Sequence, residues 1–159
     1  KKFEFFFNNI TGDNLYKYKI TIGGNLNLSK SKNQIFHTDG VWEPRMIVVN
    51  IATSEINYLN GPMEIYEKSH KINFPYWKFH FKKFFMNKKK VLLNYGDILI
   101  REHRLWHRGT SNSLSVSREL IGIMFLNIMF QTSIVIMNNW CFYATNISLY
   151  NWMLMNFHI

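Results

Sequence analysis

The segment His37-Thr38-Asp39 carries two side chains that bind metals, an imidazole and a carboxylate, two positions apart. In an extended strand, residues i and i+2 point to the same side, so His37 and Asp39 can reach one ion. Two histidines and one carboxylate on one side of an iron leave coordination positions open, which the metal needs to hold a bidentate co-substrate together with O2. The triplet therefore predicts two of three ligands, and the third must be a histidine from elsewhere.

The chain has six histidines, and they differ in their surroundings. Three lie in a polar turn, among Phe and Lys, and beside the C-terminus: His70, His80 and His158. His103 and His107 remain, four residues apart, and on a helix they would share a face as in a zinc protease. The glutamate that should follow the first of them is missing, and the preceding apolar residues favour a strand. A His-x-Asp triplet alone also arises by chance, so the wider pattern decides.

Several short motifs follow one another in a fixed order along the middle of the chain. The later ones are Gly96-Asp97-Ile98-Leu99-Ile100, Leu105-Trp106-His107, Asn112, and Arg118 eleven residues after His107. The earlier ones are Asn60-Gly61-Pro62-Met63-Glu64-Ile65 and Ser69-His70-Lys71. Together they resemble the motifs of the phytanoyl-CoA dioxygenase family, from about residue 36 to residue 125. Order, spacing and residue type agree at once, which is far more specific than any single motif.

The resemblance implies an Fe(II)- and 2-oxoglutarate-dependent dioxygenase. His37, Asp39 and His107 then hold the iron, and Arg118 matches the family's arginine that binds 2-oxoglutarate. A guanidinium suits that role because it pairs with a carboxylate through two parallel hydrogen bonds, which a lysine ammonium cannot reproduce. Asn112 is assigned to the same co-substrate, although as an isolated residue it would be a turn former.

The reaction that the resemblance implies is hydroxylation, in which 2-oxoglutarate loses CO2 and becomes succinate while a substrate C–H bond is oxidised by O2. Asp39 fills the position that halogenating relatives leave vacant for halide, so hydroxylation is favoured over halogenation. Trp42 either lines the substrate pocket or belongs to the core. Two residues depart from the family pattern, Lys68 in place of a glycine and Leu114 in place of a hydroxyl residue. Both departures concern the fine contacts to 2-oxoglutarate.

The elements that must position these residues read as short strands separated by turns, a pattern typical of a sandwich or barrel. Candidate strands cover residues 16–22, 46–52, 63–66, 91–101 and 119–129, with a turn at Gly23-Gly24 and a bend at Gly96-Asp97. The aromatic N-terminus is expected to be the edge of a strand. The lysine-rich segment 78–90 is expected to be a solvated excursion near the pocket mouth that attracts an acidic substrate. With the resemblance, the expected fold is mainly all-β, a double-stranded β-helix (cupin-like jelly roll) with few short helices.

Composition bounds the remaining choices. With 159 residues, of which 47% are hydrophobic and 17% aromatic, the chain is long enough for one sizeable core. We expect a single domain over residues 1–159, truncated at its N-terminus, because the chain begins without Met and the family's members are usually longer there. The net charge of +9 is spread out and accompanies a richness in Asn, Ile, Lys and Phe that an AT-rich genome produces, so no nucleic-acid partner is expected.

Compartment and partners follow from similar arguments. The single cysteine, Cys141, cannot form an intramolecular disulfide, which fits a reducing cytoplasm. No membrane span is expected, because the most apolar stretch, residues 120–137, is interrupted by Asn127 and by the polar residues 131–133. The expected partners are therefore 2-oxoglutarate, O2 and a small-molecule or acyl substrate that the sequence does not identify. The oligomeric state is left open.

Two other classes of function remain. One is a jelly-roll binding protein that has lost catalysis through truncation. The other is a metal-dependent cupin isomerase, which needs no 2-oxoglutarate and gives Arg118 no task.

Overall fold

The computed structural model describes residues 2–12, 14–40, 46–71 and 76–127. Within them lie two α helices, α1 (Lys2–Thr11) and α2 (Tyr76–Lys82), and three 3-10 helices, Leu15–Lys17, Ser69–Lys71 and Lys83–Phe85. The strands are β1 (Tyr18–Asn27), β2 (Met46–Ala52), β3 (Met63–Tyr66), β4 (Lys88–Val91), β5 (Ile98–Glu102), β6 (His107–Gly109) and β7 (Arg118–Asn127). Trp42 and the last two residues of the predicted strand 119–129 lie outside the described residues.

The strands form two antiparallel sheets. One has the order β1-β7-β2-β5 and the other the order β4-β3-β6. Neighbours in each sheet are far apart in sequence, as β1 and β7 are, and this pairing of distant strands brings the two halves of the motif together. The predicted mainly β fold of the jelly-roll kind is confirmed.

Each sheet has its own aromatic core. Phe7, Val49 and Phe125 are buried together against the four-stranded sheet, and Tyr66, Phe79 and Trp106 are buried together against the three-stranded one. In the second cluster the rings of Phe79 and Trp106 stack at 3.9 Å between centroids, with an interplanar angle of 5°. Helix α2 is thereby fixed to the outside of the three-stranded sheet.

Three local predictions are wrong. The N-terminal aromatic run forms helix α1 rather than a strand edge, because Phe7 packs against Tyr18 and Phe125 and tertiary burial overrides the β preference of Phe. Gly23-Gly24 is no turn: strand β1 continues through it, with Gly23 paired opposite Gly122 of β7.

The third concerns the predicted strand 91–101, which is two strands in different sheets. Strand β4 ends at Val91 and β5 begins at Ile98, and Gly96 between them has a φ of +83°. A residue without Cβ adopts this conformation at no steric cost, so the chain turns there rather than bends.

Strand alternation separates the aromatic cluster from the polar residues of the motif. Phe36 and Trp106 pack in the cluster that carries α2, while the next residues, His37 and His107, have rings 4.5 Å apart. Successive side chains of extended backbone point to opposite faces. One face of the sheet therefore carries the aromatic layer that packs against α2, and the other face carries the two imidazoles.

Candidate metal and co-substrate site

Two backbone hydrogen bonds hold His37 and His107 side by side. The amide of each donates to the carbonyl of the other at 2.9 Å, which makes them a directly opposed antiparallel pair. The amide of Asp39 donates to the carbonyl of His103 at 2.9 Å and continues this pairing by two residues. His37 and Asp39 are therefore held by the same segment that carries His107.

The side chains of His37, Asp39 and His107 converge. Asp39 Oδ1 lies 3.5 Å from His107 Nε2 and 3.9 Å from His37 Nε2, and one ligand atom from each residue falls within 4.8 Å of the others. Among the described residues this is the one group of His, Cys, Asp or Glu with such spacing.

The backbone also orients both imidazoles. His37 Nδ1 lies 2.9 Å from the carbonyl oxygen of Ile35, and His107 Nδ1 lies 2.7 Å from that of Leu105. A carbonyl oxygen only accepts, so Nδ1 carries the proton and donates in each ring. In the neutral imidazole Nε2 is then left with its lone pair, and both Nε2 atoms face Asp39.

Arg101 of β5 holds the other oxygen of the carboxylate. Its Nη1 lies 2.6 Å from Asp39 Oδ2, and its Nε donates to Asn50 Oδ1 at 3.2 Å. Burial by itself raises the pKa of Asp39, but the charge of Arg101 and the favourable electrostatic interactions with the two imidazoles outweigh it and hold that pKa well below its usual range. Asp39 is thus an anion with one oxygen paired and one turned towards the imidazoles.

His107 is neutral in this setting. Burial disfavours the imidazolium and the nearby Arg101 charge repels it, and together they lower the pKa of His107 to about 3 even though Asp39 pulls it upward. A neutral imidazole is the form that binds a metal.

These residues fit an iron. Two imidazole nitrogens and one carboxylate oxygen are the donor set of non-haem Fe(II) oxygenases. Because the three atoms lie no more than 4.8 Å apart, small side-chain rotations bring all of them to about 2.0–2.2 Å from one ion.

Arg118, at the start of β7, is buried, and one of its hydrogen-bond donors is unpaired. It is 4% exposed, and its Nη2 donates to the carbonyl of Gly61 at 2.8 Å, while Nη1 lies 3.4 Å from Asn25 Oδ1. Its Nε has no hydrogen-bond partner, and no ion pair joins Arg118 to a described acidic residue. Burial lowers the pKa of Arg118 to about 10, so the group stays charged at neutral pH. A buried cation without an anion fits a carboxylate ligand.

Gly61, whose carbonyl accepts the hydrogen bond from Arg118, is tightly packed. It has a φ of +81°, and a Cβ there would lie 2.0 Å from Asn27 Nδ2 and 2.6 Å from the Thr110 carbonyl oxygen. Asn27 Nδ2 donates to the carbonyl of Gly61 at 3.3 Å and to that of Thr110 at 2.9 Å. The Asn-Gly-Pro motif therefore holds the backbone that Arg118 contacts.

Asn112 is fully buried and its amide already has protein partners. Its Nδ2 donates to the carbonyls of Val116, at 2.8 Å, and Asn27, at 3.2 Å, and its Oδ1 accepts from the amide of Leu114 at 3.0 Å. These bonds tie the loop that leads into Arg118. Direct contact of Asn112 with 2-oxoglutarate stays a prediction.

Sequence reasoning missed two residues beside the triad. Arg101 could have been singled out, because a charged residue inside the apolar strand Ile98–Glu102 needs a buried partner. His103, which remained beside His107 among the candidate histidines, is 3% exposed; its Nδ1 accepts from the amide of Met46 at 3.0 Å and its ring lies against Gly40. No sequence signal indicates that it contacts both Gly40 and Met46. Trp42 lies outside the described residues.

Comparison with solved structures finds similar folds. The non-heme alpha ketoglutarate dependent carbocyclase SnoK from nogalamycin biosynthesis matches with a TM-score of 0.61 and 14% identity, covering 69% of this chain and 50% of that one. EvdO2 from Micromonospora carbonacea var. aurantiaca, complexed with 2-oxoglutarate, gives 0.58 and 12%, covering 69% and 52%. EctD from S. alaskensis, with bound Fe, gives 0.61 and 14%, covering 72% and 47%. The chain thus spans about half the length of these proteins.

No curated protein sequence matches the chain significantly. The sequence model of the phytanoyl-CoA dioxygenase (PhyH) family matches residues 19–119, which include every residue of the triad and Arg118. This family uses Fe(II) and 2-oxoglutarate, as predicted. With the match extending over most of the described residues, the chain belongs to the phytanoyl-CoA dioxygenase family.

Proposed function

We propose that this chain is the β core of an Fe(II)- and 2-oxoglutarate-dependent oxygenase, with His37, Asp39 and His107 as iron ligands. The convergence of two Nε2 atoms and Asp39 Oδ1 within 4.8 Å carries the proposal. Both imidazoles have the tautomer that a metal requires, since each Nδ1 donates to a carbonyl of its own segment. The protein therefore orients the proposed ligand atoms before a cation binds.

The iron and its co-substrate supply the oxidising chemistry: a substrate C–H bond is hydroxylated with O2, while 2-oxoglutarate becomes succinate and CO2. The residues of the chain bind and orient. Asp39 would offer the metal one oxygen, because the other is paired with Arg101 at 2.6 Å.

Arg118 receives the far carboxylate of 2-oxoglutarate. Its buried guanidinium has an unpartnered Nε, and the bond from Nη2 to Gly61 fixes its plane. Such a cation gains a charge-assisted pair when a dianion enters, whereas a neutral ligand would leave the charge uncompensated. Asn112 serves this site by holding the loop before Arg118, and Trp42 is retained as a substrate-pocket candidate.

The test is an anaerobic titration of the Fe(II)-loaded chain with 2-oxoglutarate, followed by visible absorption. A metal-to-ligand charge-transfer band that saturates with 2-oxoglutarate supports the proposal. Metal binding without the band favours the cupin isomerase, and no metal binding at all favours a jelly-roll binding protein.

Turnover requires a substrate, and its class is open. The solved structures of similar fold include proteins described as a carbocyclase and an epimerase, so the assay should not presuppose a hydroxylated product. A pool of small metabolites and acyl esters, scored by substrate-stimulated succinate release, detects any of these reactions. Succinate formed at the same rate with and without each pool would contradict a specific oxygenase. That the segment 78–90 attracts an acidic substrate also stays a prediction, tested by the salt dependence of substrate binding.

A further inference from the structure

The helical segment that covers the three-stranded sheet has large aromatic side chains on its outer side. Trp77 is 60% exposed, Phe81 69%, Phe84 78% and Phe85 92%. We call these four residues the aromatic ridge. Single exposed aromatics are ordinary on protein surfaces, but a contiguous group of them marks a surface that contacts something else.

The ridge follows the helical period rather than a random scatter. Trp77 and Phe81 are spaced i, i+4 within α2, positions that share one face of a helix, and Phe84 and Phe85 follow in the 3-10 helix. Phe79, two residues after Trp77, begins the opposite face; it is 1% exposed and stacks on Trp106. Helix α2 and the 3-10 helix after it therefore have two apolar faces, of which the described structure buries one.

Lysines flank the ridge. Residues 76–91 contain six lysines and no acidic residue. The ammonium of Lys78 lies 5.2 Å from the centroid of the Trp77 ring, and that of Lys83 lies 5.4 Å from the centroid of Phe84. Two carboxylates lie beside the segment: Glu64 is paired with Lys88 and Arg108, and Glu67 accepts a hydrogen bond from Asn87. The lysines outnumber these carboxylates, so the surface around the ridge has a net positive charge.

We propose that the aromatic ridge and its lysines form a docking surface for an anionic lipid membrane. Aromatic side chains enter the headgroup region, and lysines beside them extend their ammonium groups to lipid phosphates and carboxylates. A protein partner fits less well, because the buried centre of protein interfaces is depleted of lysine. No helix in the described part of the chain is long and apolar enough to span a membrane.

The position of the ridge leaves the candidate iron site accessible. The ridge faces away from the sheet on which Phe79 and Trp106 stack, whereas His37 and His107 lie on the opposite face of that sheet. Docking therefore needs neither metal nor co-substrate, and it does not depend on the proposed function.

The test is co-sedimentation of the full chain with vesicles of phosphatidylcholine alone and with vesicles that also contain phosphatidylserine. We expect partitioning onto the second kind only, weakened as salt screens the lysines. The double variant Trp77→Ala/Phe85→Ala should reduce partitioning at least tenfold, since it removes two rings from the interface. Lys78→Gln and Lys82→Gln should each reduce it about fivefold and make the remainder less sensitive to salt.

Matched controls come from the first strand of the other sheet and from the 3-10 helix before it. Tyr16 is 78% exposed and Lys19 is exposed on β1, so Tyr16→Ala and Lys19→Gln remove similar side chains away from the ridge. Both should partition like the unmodified chain, and circular dichroism should be unchanged in all variants. Absence of binding to phosphatidylserine vesicles overturns the proposal, as does equal loss in the controls. Self-association of the chain that Trp77→Ala/Phe85→Ala abolishes, without vesicle binding, would identify the ridge instead as an interface between two copies.

Discussion

The His37, Asp39 and His107 group and the surroundings of Arg118 differ in how fully the protein satisfies their polar atoms. In the triad, each polar atom that does not face the centre already has a partner: the two Nδ1 atoms have backbone carbonyls and Asp39 Oδ2 has Arg101. Around Arg118, a buried Nε remains without a partner and the charge has no described anion. In the first group, protein atoms already pair with every polar atom that faces outward. Beside Arg118, one buried donor is unpaired and can bind a ligand. Metal and co-substrate should therefore respond to different mutations.

The largest effect is expected for His107→Ala, which removes a ligand from the centre of the triad. Iron affinity should fall by more than about a hundredfold, beyond the loss typical of residues that only orient a ligand. Equilibrium dialysis followed by metal analysis measures it. Arg118→Ala serves as the control and should keep its iron; equal loss in both variants would mean that the two groups are not separate.

Arg118→Lys should show the reverse pattern, with iron retained and 2-oxoglutarate affinity reduced. The charge survives, but the two parallel hydrogen bonds do not, which costs about 1.5–3 kcal/mol, or roughly ten- to a hundredfold in affinity. The charge-transfer titration gives both quantities on one sample. If neither Arg118→Lys nor Arg118→Ala changes 2-oxoglutarate affinity, this residue has no co-substrate role.

Arg101→Gln tests whether the protein itself completes the triad. Removing the cation leaves Asp39 without its 2.6 Å partner, so the metal-free chain should lose about 1.5–3 kcal/mol of unfolding free energy. Added metal should recover part of this loss, because it gives Asp39 a new positive partner. Chemical denaturation with and without Co(II) measures the change. Lys88→Gln is the control: Lys88 is 46% exposed in its pair with Glu64, and less than about 1 kcal/mol should be lost.

The last prediction concerns pH in the metal-free chain, where the change in unfolding free energy per pH unit is smaller than the effects above. Because burial holds the pKa of His107 at about 3, the unfolded chain binds a proton there between roughly pH 6.5 and 3 while the folded chain does not. His107 thus favours folding fully above pH 6.5, and this contribution is lost as pH falls through that window. Its slope is at most about 1.4 kcal/mol per pH unit. His107→Asn should reduce the slope of the unfolding free energy against pH, whereas His80→Asn, at an exposed position, should not. If His107→Asn and the unmodified chain had equal slopes, a neutral His107 would be contradicted.

A local pattern was enough to predict that His37 and Asp39, two residues apart, lie together, and the structure brings His107 beside them. Their role as iron ligands, and that of Arg118 towards 2-oxoglutarate, stay predictions. Strands β2 and β3 were also predicted, because their short apolar runs are typical of buried strands. These features depend on neighbours in the chain, and a single sequence contains them.

Sequence reasoning failed where distant contacts decide. The aromatic run of α1 is helical because Phe7 packs against Phe125, more than a hundred positions away. Gly23 lies within a strand because β7 supplies a partner opposite it. The pairing of Arg101 with Asp39 needs β5 of one sheet to face a segment paired with the other. None of these neighbours can be identified without the register of the sheets.

The alternation at Phe36-His37 and Trp106-His107 makes these two segments intolerant of insertions and deletions. Removing one residue from the extended segment immediately before His37 shifts its register by one. A one-residue shift sends every side chain of that segment to the other face of the sheet. Phe36 would then enter the candidate iron site and His37 would enter the layer that carries α2. One missing codon would thus remove a ligand and unpack a helix together, whereas the exposed loop around Ser29 and Lys30 should accept length changes with little consequence.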